Sequence, residues 1–136
     1  NGNNIDIYED GKESRDFVFI DDAVNATIMA LERKEANHQV FNVGSGVATT
    51  VAQVAYTLKE LYKSDVEITI SGRYRLGDIR HNYADLTKIK KALGFIPTFD
   101  FKTGISKFVD WVKSQEIHCC VWFVMERLFT QVKLAA

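Results

Sequence analysis

The alternation of apolar and polar residues along the chain predicts short strands separated by amphipathic helices. Period-two alternation marks residues 5–8 and 66–70 as strands, and aromatic and β-branched residues mark 15–20 as a third. A short apolar run at residues 39–43, ending in a glycine-rich turn, predicts a fourth strand. Strands that alternate with helices are typical of the α/β class, which is the fold class we expect.

Apolar residues spaced three and four apart predict four helices. In chain order, the apolar positions of these helices are Val24, Ile28 and Leu31; Val51, Val54, Ala55, Leu58, Leu61 and Tyr62; Leu86, Ile89 and Leu93; and Ile105, Phe108, Val109 and Val112. We expect Asp21 or Asp22 to cap the first helix. Thr49 or Thr50 would cap the second helix, and Gly94 would end the third.

Composition and charge argue against several classes of function. The chain has 136 residues, enough for one domain with its own core, and its apolar and charged fractions are ordinary for a globular protein. A net charge of −1 argues against nucleic acid and anionic membranes as partners, because both require a basic excess. Cys119 and Cys120 are adjacent, and no histidine stands at metal-ligand spacing from them. We therefore expect no metal site, no disulfide framework and a cytoplasmic location.

The two ends of the chain differ from the rest. Asn1 opens the sequence in a polar stretch without an initiator methionine, and we expect the chain to be a piece of something longer. Residues 1–116 are predicted to form one domain, and residues 117–136 an apolar tail of unclear origin. The apolar run at residues 119–125 is too short to span a bilayer.

Two motifs imitate the chemistry of dinucleotide-dependent enzymes. Tyr8 and Lys12 have the spacing of a catalytic Tyr-x-x-x-Lys pair, but a Gly-containing turn separates them, and the pair needs a helix to share a face. We therefore expect no catalytic residue here. The Gly44-Ser45-Gly46 turn has the place of a dinucleotide fingerprint, but its third glycine is replaced by Thr49, and a tight turn explains it without a ligand.

The loop from Arg75 to Asp85 is the most informative segment. It sets Arg75, Asp78 and Arg80 on a stretch broken by a glycine and then enters a helix at Asp85. Guanidinium groups suit a diphosphate, because each can bond two phosphate oxygens at once. A carboxylate such as Asp78 can orient an arginine or accept hydrogen bonds from sugar hydroxyls. The alternative is a charged surface loop whose ion pairs contribute little.

Several segments together resemble the C-terminal half of the NAD-dependent nucleotide-sugar epimerase/dehydratase family, the extended short-chain dehydrogenases. They are residues 8–11, 15–22, 41–46 and 75–85, and the resemblance covers residues 5–113. It implies the C-terminal portion of that fold, without the N-terminal NAD-binding Rossmann part. In the family that part carries the glycine-rich NAD turn, the catalytic Ser/Thr and the Tyr-x-x-x-Lys, so we expect no cofactor to be bound by this chain.

The resemblance also implies roles for five residues in binding a UDP- or dTDP-sugar. Tyr8 matches an aromatic residue near the uracil or thymine. Arg15 matches an arginine that reaches the ribose and diphosphate, and Arg75 the arginine that clamps the diphosphate. Asp78 matches the acid that holds the ribose hydroxyls or that arginine. Asn82 falls where several members have a tyrosine near the ligand.

These observations favour the substrate-binding portion of a nucleotide-sugar epimerase or dehydratase, inactive by itself. One alternative is part of an NAD(P)-dependent reductase of the same superfamily, although the loop with Arg75 and Asp78 favours a nucleotide sugar. Another is a non-enzymatic module that binds a nucleotide or a partner chain. The sugar and the base stay open. We also expect self-association, because residues 39–43 would form a strand with an unpaired edge.

Overall fold

The computed structural model describes residues 4–115 and has the predicted α/β character. The strands are β1 (Ile5–Ile7), β2 (Ser14–Asp16), β3 (Ala48–Thr50) and β4 (Ile68–Ile70). The helices are α1 (Ile20–Glu32), α2 (Val51–Tyr62), α3 (Thr87–Leu93) and α4 (Phe101–Ser114), with a short 3-10 helix at Lys34–Ala36. The predicted apolar tail at residues 117–136 lies outside the described residues.

Two small sheets bring distant segments of the chain together. β1 pairs with β4 in parallel, and β2 pairs with β3 antiparallel. The loop after β4 then runs beside the turn after β1: the Glu9 amide donates to the Arg73 carbonyl at 2.6 Å, and the Ser14 amide to the Arg80 carbonyl at 2.8 Å. The segments that carry the predicted binding residues are therefore neighbours.

The main apolar core lies between α1 and α3. Its buried members are Ala26, Leu86, Ile89, Leu93 and Phe95. The three apolar positions predicted for the third helix are thus buried. Each of these side chains is removed from water, which is the dominant stabilising term for a domain of this size.

The predicted apolar face of α1 is largely exposed in the described part of the chain. Val24 is 48% exposed, Ile28 46% and Leu31 82%, while Asp22 and Ala26 are the buried residues of this helix. The helical period was correct, but the stripe that packs on the core is the neighbouring one, with Asp22, Ala26, Met29 and Ala30. A broad apolar stripe therefore faces outward.

The caps follow the predictions only in part. Thr50 caps α2 in a reciprocal capping box with Gln53, and Gly94 ends α3 with a φ of +66°. Phe19, however, stands at the N-cap of α1, so the expected cap at Asp21 or Asp22 was wrong. Asp22 instead accepts hydrogen bonds from two amides of the extended segment before α4.

The strand predicted at residues 39–43 was also wrong, since these residues take no strand conformation. A ladder needs a neighbouring strand, and the described residues supply none beside this segment. Val40 is accordingly 82% exposed. The strand predicted at 15–20 spans only Ser14–Asp16, and β3 was not predicted. Within residues 4–115, no helix has the length and apolar character needed to cross a membrane.

Candidate functional site

A polar cavity of about 430 Å³ opens between the ends of β1 and β2 and the loop after β4. Its lining residues are Asp6, Ile7, Tyr8, Glu9, Glu13, Arg15, Val51, Arg73, Arg75 and Asp78. Four of the five predicted binding residues, Tyr8, Arg15, Arg75 and Asp78, are in this set. The fifth, Asn82, lines an adjoining cavity of about 420 Å³, and Arg15 contributes to both walls.

Tyr8 lies directly after β1 with its side chain half-buried. The guanidinium carbons of Arg73 and Arg75 stand 4.8 and 5.3 Å from its ring centroid. Contacts of this kind are attractive because the ring face carries partial negative charge. The aromatic ring and the cationic loop are therefore held side by side.

Arg15 and Asp78 form an ion pair across the cavity wall, with Nη2 and Oδ1 2.7 Å apart. The other terminal nitrogen of Arg15 donates to the carbonyls of Ser14 at 2.9 Å and Arg80 at 3.3 Å. These bonds fix the plane of the guanidinium, since its donors have a rigid geometry. Arg15 is thus oriented from three sides before any ligand arrives.

Arg75 differs from the other two arginines of its loop. Arg73 pairs with Asp6, and Arg80 pairs with carboxylates of the turn after β1. Among residues 4–115, Arg75 forms no ion pair. Its exposed guanidinium lines the cavity, so it is the cation there whose charge no carboxylate of the described chain balances.

Arg80, which the sequence grouped with Arg75, is directed at three carboxylates. It stands 2.7 Å from Asp10, 3.1 Å from Glu9 and 3.4 Å from Glu13. The hydrogen bond with Asp10 raises the pKa of Arg80 and lowers the pKa of Asp10 to about 2. The pKa of Glu9 is raised, chiefly by the neighbouring side chain of Glu13.

The Gly44-Ser45-Gly46 turn is filled by a side chain of the same protein. The Asp16 carboxylate accepts from the Ser45 amide at 2.7 Å, the Ser45 hydroxyl at 2.6 Å and the Gly46 amide at 2.9 Å. A Cβ at Gly44 would stand 2.4 Å from Asp16 Oδ2. The amide donors that would cradle a dinucleotide phosphate are thus engaged, and the turn does not fit NAD.

The Tyr8 and Lys12 pair also lacks the geometry of a catalytic dyad. A turn separates the two residues, with Glu9 at a φ of +49° and the Gly11 amide donating to the Tyr8 carbonyl. The helical face that would bring the two side chains together is absent from this described segment.

Sequence reasoning missed several residues of the cavity wall, chiefly Asp6, Glu9 and Glu13. Asp6 pairs with Arg73 through one oxygen, while its buried Oδ1 has no hydrogen-bond partner among the described residues. The alternation of β1, which sends Asp6 to the face opposite its two isoleucine neighbours, was the available signal. Glu9 and Glu13 lie in a turn, where no periodicity indicates direction.

Comparison with known proteins gives a consistent family. A sequence model of the family described as GDP-mannose 4,6 dehydratase matches residues 2–108. The dTDP-L-rhamnose 4-epimerase of Burkholderia thailandensis is 34% identical over 111 residues, which cover 82% of this chain and 30% of that protein. The UDP-glucuronate 4-epimerase 3 of Arabidopsis thaliana is 31% identical, and 29% of its length is covered.

Two solved structures of nucleotide-sugar epimerases match the fold of this chain. The UDP-glucose 4-epimerase of Thermotoga maritima, solved with UDP-glucose, has a TM-score of 0.75 at 35% identity and matches 82% of this chain and 35% of its own. The UDP-glucuronic acid 4-epimerase of Bacillus cereus, in complex with UDP-glucuronic acid and NAD, has a TM-score of 0.72 at 25% identity, with 81% and 35% covered.

The chain spans about a third of the length of these relatives and matches their C-terminal portions. The sequence resemblance to this family is thereby confirmed. Since the family match covers most of the chain, the protein belongs to the GDP-mannose 4,6 dehydratase family of NAD-dependent epimerases and dehydratases, and it corresponds to their C-terminal portion.

Proposed function

We propose that this chain is the substrate-binding portion of a nucleotide-sugar epimerase or dehydratase and grips the nucleotide diphosphate of a UDP- or dTDP-sugar. The observation that carries the proposal is the guanidinium of Arg75, which has no carboxylate partner among residues 4–115 and shares a cavity with Tyr8, Arg15 and Asp78. A diphosphate would provide the anionic partner that no carboxylate of the described residues gives to Arg75. Such a role belongs to carbohydrate metabolism, and the adjacent cysteines favour the cytoplasm.

Each residue of the cavity has a distinct task in this proposal. Tyr8 offers a half-buried ring on which a uracil or thymine can stack. Arg75 and Arg15 donate to the diphosphate oxygens. Asp78 keeps Arg15 oriented and accepts from ribose hydroxyls. Asn82 lies in the adjoining cavity, on the far side of Arg15, and contacts the sugar.

In this proposal the nucleotide part of the substrate provides binding energy and does not react. Binding energy gathered far from the reacting carbon holds the sugar in position, which is how remote contacts assist catalysis. The relative from Bacillus cereus was solved with NAD, a hydride carrier. Our proposal assigns no NAD contact to residues 4–115, because the Gly44-Ser45-Gly46 turn is engaged by Asp16. It therefore predicts that the isolated chain is inactive.

We further propose that the isolated chain self-associates through the outer face of α1, and not through residues 39–43, which form no strand. Val24, Ile28 and Leu31 expose a contiguous apolar stripe there, and apolar stripes of this kind mark association surfaces. Light scattering would give a mass above that of one chain, and Ile28→Glu would lower it. A monomeric mass for the unchanged chain would contradict the proposal.

Calorimetric titration with UDP-glucose and with dTDP-glucose tests the binding function. Saturable binding is expected, and the preferred ligand would identify the base. Arg75→Ala should cost about 2 kcal/mol of binding free energy, as expected for a charge-assisted contact. The matched control is Arg33→Ala, which removes an exposed arginine at the end of α1 that does not line the cavity. Absence of binding by a folded sample, or an equal loss in both variants, would overturn the proposal.

A further inference from the structure

Arg80 stands behind the cavity and does not line it. Its guanidinium reaches Asp10, Glu9 and Glu13 at 2.7, 3.1 and 3.4 Å. Two of these partners, Glu9 and Glu13, do line the cavity, whereas Asp10 does not. The side chain of Arg80 therefore contacts the outer side of a wall whose inner side would face the ligand.

The carboxylates of the cavity wall are balanced unevenly. Asp6 is paired with Arg73 and Asp78 with Arg15. For Glu9 and Glu13, the ion-pair partner among the described residues is Arg80. The Glu13 side chain is only 7% exposed, and a buried carboxylate without a cation is costly.

The backbone of Arg80 supports the same wall. Its carbonyl accepts hydrogen bonds from the Ser14 amide at 2.8 Å and from Nη1 of Arg15 at 3.3 Å. One residue thus braces the arginine that pairs with Asp78 and holds the two glutamates that face the cavity. The backbone contacts join the loop after β4 to β2, and the side-chain contacts join it to the segment between β1 and β2.

From this arrangement we propose that Arg80 is a positioning residue, which neutralises Glu9 and Glu13 from behind so that the cavity accepts a diphosphate. The inference rests on the proposed function. Two ionised carboxylates without a cation would repel a diphosphate in the same cavity, and like charges at short range oppose binding strongly. Arg80 acts on the ligand through these glutamates and does not touch it.

The test separates charge from structure by using two ligands. UDP-glucose carries the diphosphate, and uridine presents the base and ribose alone. Chemical-shift titration of the 136-residue chain is expected to show that Arg80→Gln weakens UDP-glucose binding about tenfold or more and leaves uridine binding within about twofold. Arg80→Lys, which keeps the cation, should restore most of the affinity. Arg33→Gln, the matched control, should change neither ligand.

A second measurement needs no ligand. In the Arg80→Gln variant, NMR titration of the side-chain carboxyls should show higher pKa values for Asp10 and Glu9. In the unchanged chain Arg80 lowers the pKa of Asp10 and partly offsets the rise that Glu13 causes in the pKa of Glu9. In the Arg80→Lys variant these values should stay close to those of the unchanged chain.

Each result of these measurements either supports or contradicts the role proposed for Arg80. Equal weakening of both ligands by Arg80→Gln, full retention of UDP-glucose binding, or no rescue by lysine would each overturn the inference. If the unchanged chain binds neither ligand, the proposed function fails, and the carboxyl titration alone decides on Arg80. Unchanged pKa values for Asp10 and Glu9 would then overturn the neutralising role, and raised values would uphold it.

Discussion

Arg15 and Asp78 are 63 positions apart in sequence, yet their side chains meet at 2.7 Å on the wall of the polar cavity. The pair is only partly buried, with 31% of the arginine and 40% of the aspartate side chain exposed. Solvent screens pairs of this kind, and their contribution to folding is small. The ion pair instead orients Arg15 toward the cavity. Its loss should therefore affect ligand binding more than the free energy of unfolding.

Asp78→Asn is therefore expected to weaken binding more than it weakens the fold. The variant should lower the free energy of unfolding by less than about 1 kcal/mol, as for a screened pair. Its affinity for UDP-glucose should fall about tenfold, because Arg15 loses the carboxylate that orients it. Urea unfolding and calorimetry measure the two quantities. A stability loss larger than the binding loss would show that the pair supports the fold instead.

Asp22→Ala should be among the most destabilising single changes in the chain. The carboxylate is 2% exposed and accepts from the amides of Thr98 at 2.9 Å and Phe99 at 3.0 Å. Its removal leaves these two partly buried amides without their acceptor, at a cost of about 2–4 kcal/mol. Urea unfolding measures this cost, and Asp21→Ala is the matched control on the exposed side of α1. Similar losses in the two variants would refute the role given to Asp22.

Gly44→Ala tests the contact between the glycine turn and Asp16. The added Cβ would lie 2.4 Å from Asp16 Oδ2 and 2.7 Å from the Cβ of Ala84, so the turn must shift. Overpacking together with weakened hydrogen bonds should cost about 3 kcal/mol.

The control for this substitution is Gly94→Ala. Gly94 has a φ of +66° and open space around it, so only backbone strain of about 1 kcal/mol is expected. Thermal unfolding of both variants measures the two stability losses, and the loss at Gly44 should be the larger. A larger loss at Gly94 than at Gly44 would mean that the glycine turn tolerates a side chain.

The parts of the fold that could be predicted from the sequence were those determined by a few neighbouring residues, namely helix ends and the buried face of a short helix. The capping box at Thr50, the left-handed end of α3 at Gly94 and the buried stripe of α3 each follow from a few neighbouring residues. Asp22 looked like a cap by the same local rule, but two amides 76 and 77 positions away compete for its carboxylate. A single sequence does not specify contacts at that separation.

The strand predicted at residues 39–43 failed for a related reason. Val40 and Val43 have high strand propensity, but strand formation depends on a partner, and the described residues provide none there. The exposed stripe of α1 has the same origin: helical spacing indicates that one face is apolar without indicating what covers it. Both features are consistent with a chain that matches about a third of the length of its relatives.

For the candidate site, residue type was predictable and pairing was not. Arg75 and Arg80 are equivalent as sequence, since both are arginines on one polar loop. The structure gives Arg80 three carboxylates and gives Arg75 none among the described residues. That difference arises from the turn at Glu9 and Asp10, whose side-chain directions are set by contacts with the loop after β4.

Asp16 should make the free energy of unfolding depend on pH in the acidic range. Partial burial raises the pKa of its carboxyl, but the hydrogen bonds from Ser45, Ala84 and Gly46 outweigh it, so the net pKa is lowered. A lowered pKa in the folded state stabilises the protein above the ordinary aspartate range, near pH 4, and this contribution is lost as the pH falls through the folded value. Urea unfolding across acidic pH measures the loss.

Asp16→Asn isolates this contribution because it removes the titrating group. The variant should be less stable than the unchanged chain at neutral pH, since its amide nitrogen cannot accept from Gly46 or Ala84 as the carboxylate does. The difference should narrow below about pH 4. Asp10, also with a lowered pKa, keeps part of the acid dependence in both proteins. A difference that stays constant with pH would show that the Asp16 charge contributes nothing to the turn.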